Sequence, residues 1–234
     1  EKVMRLPYAR CRLGISATWR RSDKLECIWN WHIGKVASRA KVARLQGDYA
    51  QILWDTNLTD SMMKMYGGQI NRNSWVTAII SNVAYNHWLA DQVVSSQKSG
   101  RRVLIVSDRV KHCENLSSII RRRLAEEGVA SSVGMYLGSM SSDKLEASKK
   151  CNVVIATYQK MSEGTDIPEL DTLFLATPRT DVEQVVGRIQ RIVEGKKPLL
   201  VVDPVFSSPY NQRMAKKRLG VFKKLGFKSQ ESKK

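Results

Sequence analysis

The sequence lacks several features that would place it in a narrow class of proteins. It has no apolar run near the roughly 20 residues that a membrane span needs, and its N-terminus has no basic-then-apolar signal pattern. Its four cysteines lie far apart, with no Cys-x-x-Cys pair and no histidine at metal-ligand spacing. These absences argue against a disulfide framework and a metal site, and they predict reduced thiols in a cytoplasmic protein with no membrane partner.

Acidic residues are also scarce relative to basic ones. The 234 residues include 39 Lys and Arg but only 22 Asp and Glu, which gives a net charge of +17. This excess is more than solubility requires and is typical of proteins that contact phosphate groups. A generally basic, solvated surface is the alternative interpretation.

From Gly100 onward, short β-branched runs alternate with helical patterns. The runs are RVLIVS (102–107), VGMYL (133–137), NVVIA (152–156), DTLFLA (171–176) and PLLVVD (198–203). This alternation predicts an α/β fold with a parallel sheet and helices on both faces. An amphipathic helix is predicted between the first two runs on Cys113, Leu116, Ile120 and Leu124. Gly128 lies where this helix should end.

The two ends of the chain are less regular. Five of the six tryptophans lie between residues 29 and 88, and their scattered spacing favours packing anchors over stacking platforms for bases. Residues 211–234 predict a basic helix followed by a frayed, charged tail. That tail either binds nucleic acid or is a solvated end.

The segment TDVEQVVGRIQR (180–191) predicts a helix whose face carries two arginines. Thr180 and Glu183 have the spacing of a capping box, so the helix is expected to begin at Thr180. The expected buried stripe is Val182, Val185, Val186, Ile189 and Val193. Gln184, Arg188 and Arg191 recur at i, i+4 and i+7 on another face, and Gly187 leaves room for a close approach. Parallel guanidiniums fit an anion between them, or they form an ordinary solvated face.

Polar groups follow two of the predicted strands. Thr157, Glu163, Gly164 and Asp166 come after the NVVIA run, and Ser107-Asp108-Arg109 ends the first run. Ligands of open α/β sheets bind at the carboxyl ends of strands, so these groups are candidates for one site. Ordinary turns with Ser and Asp as caps are the alternative. Ser16, Ala17 and Thr18 form a further hydroxyl-rich segment that either relays between sites or caps a turn.

Together, and in this order, these segments resemble superfamily 2 helicases over most of the chain. GISATWRR is similar to motif III, VLIVSDR to motif IV, IATYQKMSEGTDIP to motif V and QVVGRIQR to motif VI. Motif V and the DTLFLATPR run are most similar to phage-encoded and repair-type DNA helicases. The resemblance implies the end of a first RecA-like lobe at 1–25, a connector at 26–74, the C-terminal RecA-like lobe at 75–228 and a basic tail at 229–234.

The resemblance also implies roles for individual residues. Arg188 and Arg191 would be arginine fingers for the γ-phosphate of ATP, with Gln184 and Gly187 beside them. A second group would contact the nucleotide or couple its state to lobe closure: Glu163, Gly164 and Asp166, with Ser16, Ala17 and Thr18. A third group would hold the nucleic-acid backbone: Thr157, Ser107, Arg109, Gly138 and Ser139.

The sequence departs from the helicase pattern at the nucleotide site. A G-x-x-x-x-G-K-[ST] loop is absent, since the Gly34-Lys35 pair has Trp29 and Val36 at the flanking positions. No D-E-x-H box precedes motif III, and Trp19 stands where that motif usually has proline. We therefore expect a chain that begins at the tail of the first lobe and does not hydrolyse ATP alone.

On this interpretation, an N-terminal lobe outside the chain would hold most of the ATP and Mg²⁺, and that lobe and DNA are the expected partners. The resemblance does not exclude RNA as the nucleic-acid partner. If the protein is phage-encoded, its expected location is the cytoplasm of the bacterial host. Two alternatives remain: a nucleic-acid-binding accessory module without motor activity, and an unrelated flavodoxin-like phosphate binder.

Overall fold

The computed structural model describes residues 11–15, 25–39, 45–60, 65–66, 69–163 and 167–230. The chain divides into two compact units, residues 1–43 and 44–234. In the described part of the first unit, one short helix, α1 (Cys27–His32), is followed by Ile33. Gly14 packs against that residue, since an added Cβ would lie 3.0 Å from Ile33 Cδ1.

The second unit alternates strands and helices along the chain. Its strands are β1 (Gly47–Trp54), β2 (Met65–Tyr66), β3 (Gln69–Ile70), β4 (Val103–Ser107), β5 (Val133–Tyr136), β6 (Val153–Thr157), β7 (Thr172–Leu175), β8 (Leu199–Phe206) and β9 (Phe227–Gln230). Its helices are α2 (Arg72–Ile80), α3 (Val83–Lys98), α4 (Val110–Glu126), α5 (Ser142–Lys149), α6 (Tyr158–Ser162), α7 (Glu183–Ile189) and α8 (Pro209–Lys224).

Seven strands form one sheet in the order β5-β6-β4-β7-β8-β1-β9, with every neighbouring pair parallel. The remaining two, β2 and β3, form a small antiparallel ribbon. Strands β4 to β8 fall on the five predicted runs, which confirms the parallel α/β prediction. Short β-branched runs between helices favour this arrangement, because crossover helices cover both faces of a parallel sheet.

The structure differs from the sequence interpretation at one border of the sheet, where β1 and β9 lie. Strand β1 lies within residues 26–74, which the sequence suggested to be a connector, yet it pairs with β8 along its full length. Strand β9 pairs with the first half of β1 and includes residues expected in the basic tail. Gly47 permits the close approach of β1 to β8, since a Cβ there would lie 2.4 Å from Leu199 Cβ.

Alternate residues of the central strands enter two separate cores. Val103, Ile105 and Val153 face one core, which α2, α3 and α4 cover. Leu104 and Val154 face the other, which α6, α7 and α8 cover. The two cores place helices on both faces of the sheet, as predicted.

Most of the described tryptophans serve packing. Trp75 is fully buried, and Trp54 packs against Trp88 and Tyr85 with ring centroids 5.1 and 5.6 Å away. Trp31, in the first unit, is 77% exposed.

Helix α4 has the predicted apolar stripe and stop signal. Cys113, Leu116, Ile120 and Leu124 are buried. Gly128 adopts φ +63°, and the amides of Gly128 and Val129 donate to Ala125 O and Leu124 O at 3.2 and 2.9 Å. These two bonds form a Schellman motif and end the helix.

A buried ion pair joins α8 to the sheet. Arg218 and Asp203 are each 1% exposed; Arg218 Nε donates to Asp203 Oδ2 at 3.0 Å, and Nη2 lies 2.9 Å from Oδ1. Gln51 of β1 donates to the same carboxylate at 3.0 Å. Because a buried charge is tolerated only when it is paired and hydrogen-bonded, this network fixes α8 relative to β1 and β8.

Candidate functional site

The carboxyl ends of four neighbouring strands open into a cleft of about 430 Å³. Strands β4 and β6 end level with each other, with Ser107 opposite Thr157. Four of the predicted site residues line the cleft together: Gly138, Ser139, Thr157 and Glu163. The strand-end argument placed Thr157 and Glu163 at one edge of the sheet, and the resemblance implied phosphate contacts for Gly138 and Ser139. The structure brings all four into one concave surface.

Asp108, directly after β4, connects several groups at the edge of this cleft. Its Oδ2 accepts from Thr177 Oγ1 at 2.9 Å and from Arg72 Nη2 at 2.6 Å. Arg179 Nη1 lies 3.6 Å from its Oδ1. Arg72 also donates to Pro178 O at 3.0 Å. One carboxylate therefore fixes two arginines that come from distant parts of the sequence.

Arg179 is a cleft residue that the sequence interpretation did not single out. Its guanidinium lies 5.2 Å from the centroid of the Tyr158 ring, and its side chain is 36% exposed. Its position just beyond β7 is equivalent to that of Arg109 beyond β4, so the strand-end argument could have identified it. Arg72 lies in a preceding helix, where no sequence signal pointed to it.

Ser107 is positioned differently from the expectation that it contacts phosphate. It is fully buried, and its hydroxyl lies 2.8 Å from His112 Nδ1. His112 Nε2 lies 2.9 Å from Asn86 Oδ1, which only accepts, so Nε2 carries the proton and Nδ1 accepts from Ser107. Burial lowers the pKa of His112 to about 4. The Ser107 hydroxyl is thus bound inside the chain, and it also accepts from the Arg109 amide at 3.3 Å.

The remaining predicted groups around motifs IV and V have separate positions. Arg109 is exposed, and its guanidinium donates to Asn73 Oδ1 at 3.0 Å rather than lining the cleft. Glu163 lies 3.4 Å from Lys160 Nζ, and both line the cleft. Thr157 Oγ1 caps α6 by accepting from the Lys160 amide at 3.4 Å. Five predicted residues lie outside the described residues: Ser16, Ala17, Thr18, Gly164 and Asp166.

Helix α7 begins at Glu183, so the predicted start at Thr180 with a capping box is wrong. The N-cap position is Val182, whose side chain makes no capping bond. The Glu183 carboxylate instead accepts from Lys224 Nζ at 3.2 Å. The apolar stripe is confirmed for Val182, Val185, Val186 and Ile189, which are all buried.

The two arginines of the QVVGRIQR segment do not share one helix face. Helix α7 ends at Ile189, so Arg188 lies on it and the exposed Arg191 follows in an irregular segment. Arg188 Nη2 donates to Ser162 O at 3.4 Å, which links α7 to the end of α6, and its Nε is buried without an acceptor in the described part of the chain. Gln184 is exposed, and a Cβ on Gly187 would meet nothing within 4 Å.

Lys196 fastens the segment that carries Arg191. Its Nζ donates to Pro168 O at 2.7 Å, to Ile189 O at 2.6 Å and to Arg191 O at 3.1 Å. Burial lowers the pKa of Lys196 to about 8. The three bonds connect the end of the motif V loop to the end of α7, a role that the sequence interpretation missed because all three acceptors are backbone atoms.

Comparison with known families identifies the central part of this chain. Residues 84–194 match the model of the helicase conserved C-terminal domain. This match supports the predicted helicase C-terminal lobe over these residues. The matched segment runs from α3 through α7, so it includes the cleft and Arg188.

Viral proteins are similar to the helicase lobe and its flanking segments. The chain is 26% identical over 226 residues to L396 of Acanthamoeba polyphaga mimivirus, named as an inferred ATP-dependent RNA helicase, which covers 94% of this chain and 43% of L396. It is also 27% identical over 243 residues to D10 of Escherichia phage T5, which is named as a probable helicase. That alignment covers 97% of this chain and 50% of D10. The chain therefore spans about half the length of these relatives.

A solved structure shares the fold of the lobe. T4 UvsW superimposes with a TM-score of 0.57 at 15% identity, over 78% of this chain and 40% of that one. This similarity supports the RecA-like architecture of the lobe.

Two features are absent from the described part of the chain. None of its described helices is long and apolar enough to cross a membrane. Among the same residues, no cluster of three or more His, Cys, Asp or Glu side chains could hold a metal ion.

Proposed function

We propose that this chain provides the second motor lobe of an ATP-dependent helicase or translocase that moves along DNA. The cleft at the carboxyl edge of the sheet carries this proposal, because it gathers hydroxyl, backbone and cationic groups from separate strands. The match to the helicase C-terminal domain supports the same assignment. The two-lobed motor would close and open as ATP is hydrolysed, and the cleft would hold one strand during the cycle.

The cleft is suited to the phosphate backbone of a nucleic acid. Ser139 and Thr157 offer hydroxyls, Gly138 offers an unobstructed backbone, and Lys160 and Arg179 supply positive charge. A Cβ on Gly138 would meet nothing within 4 Å, so the space beside its backbone is free for a ligand. Contacts of this kind give affinity without reading sequence, as a translocating motor requires.

The groups proposed to face nucleotide lie around α7. Arg188 and Arg191 would act as arginine fingers that stabilise charge on the transferring phosphoryl group, and Gln184 would lie beside them. Gln184 and Arg191 are exposed, and the buried Nε of Arg188 has no acceptor among the described residues. Both features are compatible with an anion that approaches from another lobe. ATP with Mg²⁺ would supply the free energy of movement. Most of its ligands would come from the N-terminal lobe.

The choice of DNA over RNA rests on the resemblance of motif V to phage and repair-type DNA helicases. L396 is named for RNA and D10 carries no substrate in its name. The stimulation of ATP hydrolysis is therefore compared between DNA and RNA.

Nucleic-acid-stimulated ATPase activity tests the proposal. The assay uses this chain alone, a protein that joins it to its N-terminal lobe, and the joined protein with Arg188→Ala or Arg191→Ala. We expect activity only in the joined protein, a loss of at least about a hundredfold in each variant, and retained binding of labelled DNA. Arg122→Ala, an exposed change on α4, is the matched control and should leave turnover unchanged.

Two outcomes would contradict this function. Unchanged turnover in both arginine variants would remove the arginine-finger roles. Nucleic-acid binding without any stimulated hydrolysis by the joined protein would favour the non-motor binding module instead. A larger stimulation by RNA than by DNA would assign the motor to RNA.

A further inference from the structure

Helix α8 carries an unusual charge distribution. Its 16 residues contain no acidic side chain and six basic ones. One of these, Arg218, turns inward to the buried pair with Asp203. The other five are exposed: Arg213, Lys216, Lys217, Lys223 and Lys224.

Three of the exposed cations form a continuous stripe in the middle of the helix. Arg213, Lys216 and Lys217 lie at i, i+3 and i+4, opposite the buried Ala215 and Phe222. We call these three residues the basic stripe. Lys223 and Lys224 have a separate explanation, because cations in the last turn stabilise the helix dipole and Lys224 pairs with Glu183.

The basic stripe has no counter-charge within the described part of the chain. No ion pair to Arg213, Lys216 or Lys217 forms among the described residues, although other exposed cations, such as Lys98 and Arg122, have acidic partners. Like charges at i, i+3 and i, i+4 destabilise a helix. A bound polyanion would remove this repulsion.

Gly220 lies on the same face of α8, one turn beyond Lys216 and Lys217. A Cβ there would meet no described atom within 4 Å, so packing against the described residues does not require glycine. Glycine is unfavourable inside a helix. Its presence leaves bare backbone beside the stripe, where an extended ligand can approach closely.

We propose that the basic stripe is a second contact for the phosphate backbone of nucleic acid, separate from the cleft. None of the residues that line the cleft belongs to α8. Regularly spaced phosphates suit a row of ammonium and guanidinium groups, and the release of their counterions favours binding. This inference rests on the proposed nucleic-acid function of the lobe and adds a surface outside its motifs.

Salt-dependent binding of a fluorescein-labelled oligonucleotide tests the stripe. The unmodified chain is compared with a stripe variant, Arg213→Gln/Lys216→Gln/Lys217→Gln, using single-stranded and duplex probes. The control Lys98→Gln/Arg122→Gln/Lys150→Gln removes the same charge from exposed positions on or next to other helices. Circular dichroism verifies that each variant is folded. Arg179→Gln tests the cleft separately.

We expect the stripe variant to bind about tenfold more weakly at moderate salt, and the slope of log Kobs against log salt to become shallower by about 2. The control variant should change both quantities much less. Equal losses in the stripe and control variants would overturn the stripe as a contact and reduce it to general charge. If only Arg179→Gln weakens binding, the cleft function stands and the stripe fails; if the unmodified chain binds no nucleic acid, both fail.

Discussion

Single residues at the carboxyl edge of the sheet are held by partners that the surrounding sequence does not reveal. Asp108 fixes Arg72 and Arg179 with one carboxylate, and Arg179 lies over Tyr158. Arginine side chains have many rotamers, so a buried anchor reduces the conformational entropy that binding must overcome. The cleft is thus preorganised by residues behind it.

His112 predicts an acid-sensitive step in stability. Its pKa is about 4 in the folded protein, below the ordinary value of 6.5, so the folded state binds fewer protons than the unfolded state between these pH values. Stability should be independent of this group above about pH 6.5 and should fall by up to about 3 kcal/mol as the pH drops toward 4.

Urea unfolding at several pH values measures this dependence. A His112→Gln variant keeps one donor and one acceptor without titrating. This variant should not show the loss of stability that protonation of His112 causes at acidic pH, even if it is less stable at neutral pH. Identical pH profiles for both proteins would show that His112 does not titrate as its burial implies.

At the scale of elements, two exposed glycines should respond to the same substitution with opposite signs. Gly128 ends α4 at φ +63°, where alanine is strained, whereas Gly220 lies inside α8. Neither has an atom within 4 Å of an added Cβ, so steric contact contributes to neither change. Gly128→Ala should destabilise the lobe by about 1 kcal/mol, and Gly220→Ala should stabilise it by about 0.5–1 kcal/mol.

Thermal unfolding of the two variants beside the unmodified protein measures both shifts. Because each replaces glycine with alanine at an exposed position, each serves as the control of the other. Shifts of the same sign would mean that helix propensity and backbone strain do not dominate at these positions.

Helix prediction from sequence succeeded where side-chain pattern alone decides the element. The stripe of α4 and the glycine that ends it could both be identified because they depend on neighbours within four residues. The start of α7 could not, since Glu183 pairs with Lys224 from α8 instead of forming the local capping box. The ion pair with Lys224 engages the Glu183 carboxylate on which the predicted capping box depended.

At the scale of the molecule, the position of β1 changes the expected extent of the lobe. This strand lies between β8 and β9, and the second compact unit begins at residue 44 rather than near Trp75. Removing β1 would expose the backbone edge of β8 and leave β9 without its partner. Unpaired, apolar edges of this kind promote aggregation.

Two truncated proteins test this extent. Residues 44–234 should fold cooperatively and give a two-state urea transition, whereas residues 75–234 should be unfolded or aggregated. Circular dichroism and sedimentation of both fragments distinguish these states. Cooperative folding of the shorter fragment would place β1 outside the structural unit.

The sequence by itself determined the five strands β4 to β8, the helices that alternate with them and the edge at which polar groups collect. These features follow from hydrophobic periodicity and from the order of segments in a parallel sheet, which are local properties. Only the tertiary structure decided that β1 and β9 extend the sheet, that Ser107 is buried against His112 and that Asp108 holds Arg72 and Arg179. Each of these features depends on contacts between elements that only the folded chain brings together. Burial makes these hydrogen bonds and ion pairs favourable, and no local sequence pattern encodes that burial.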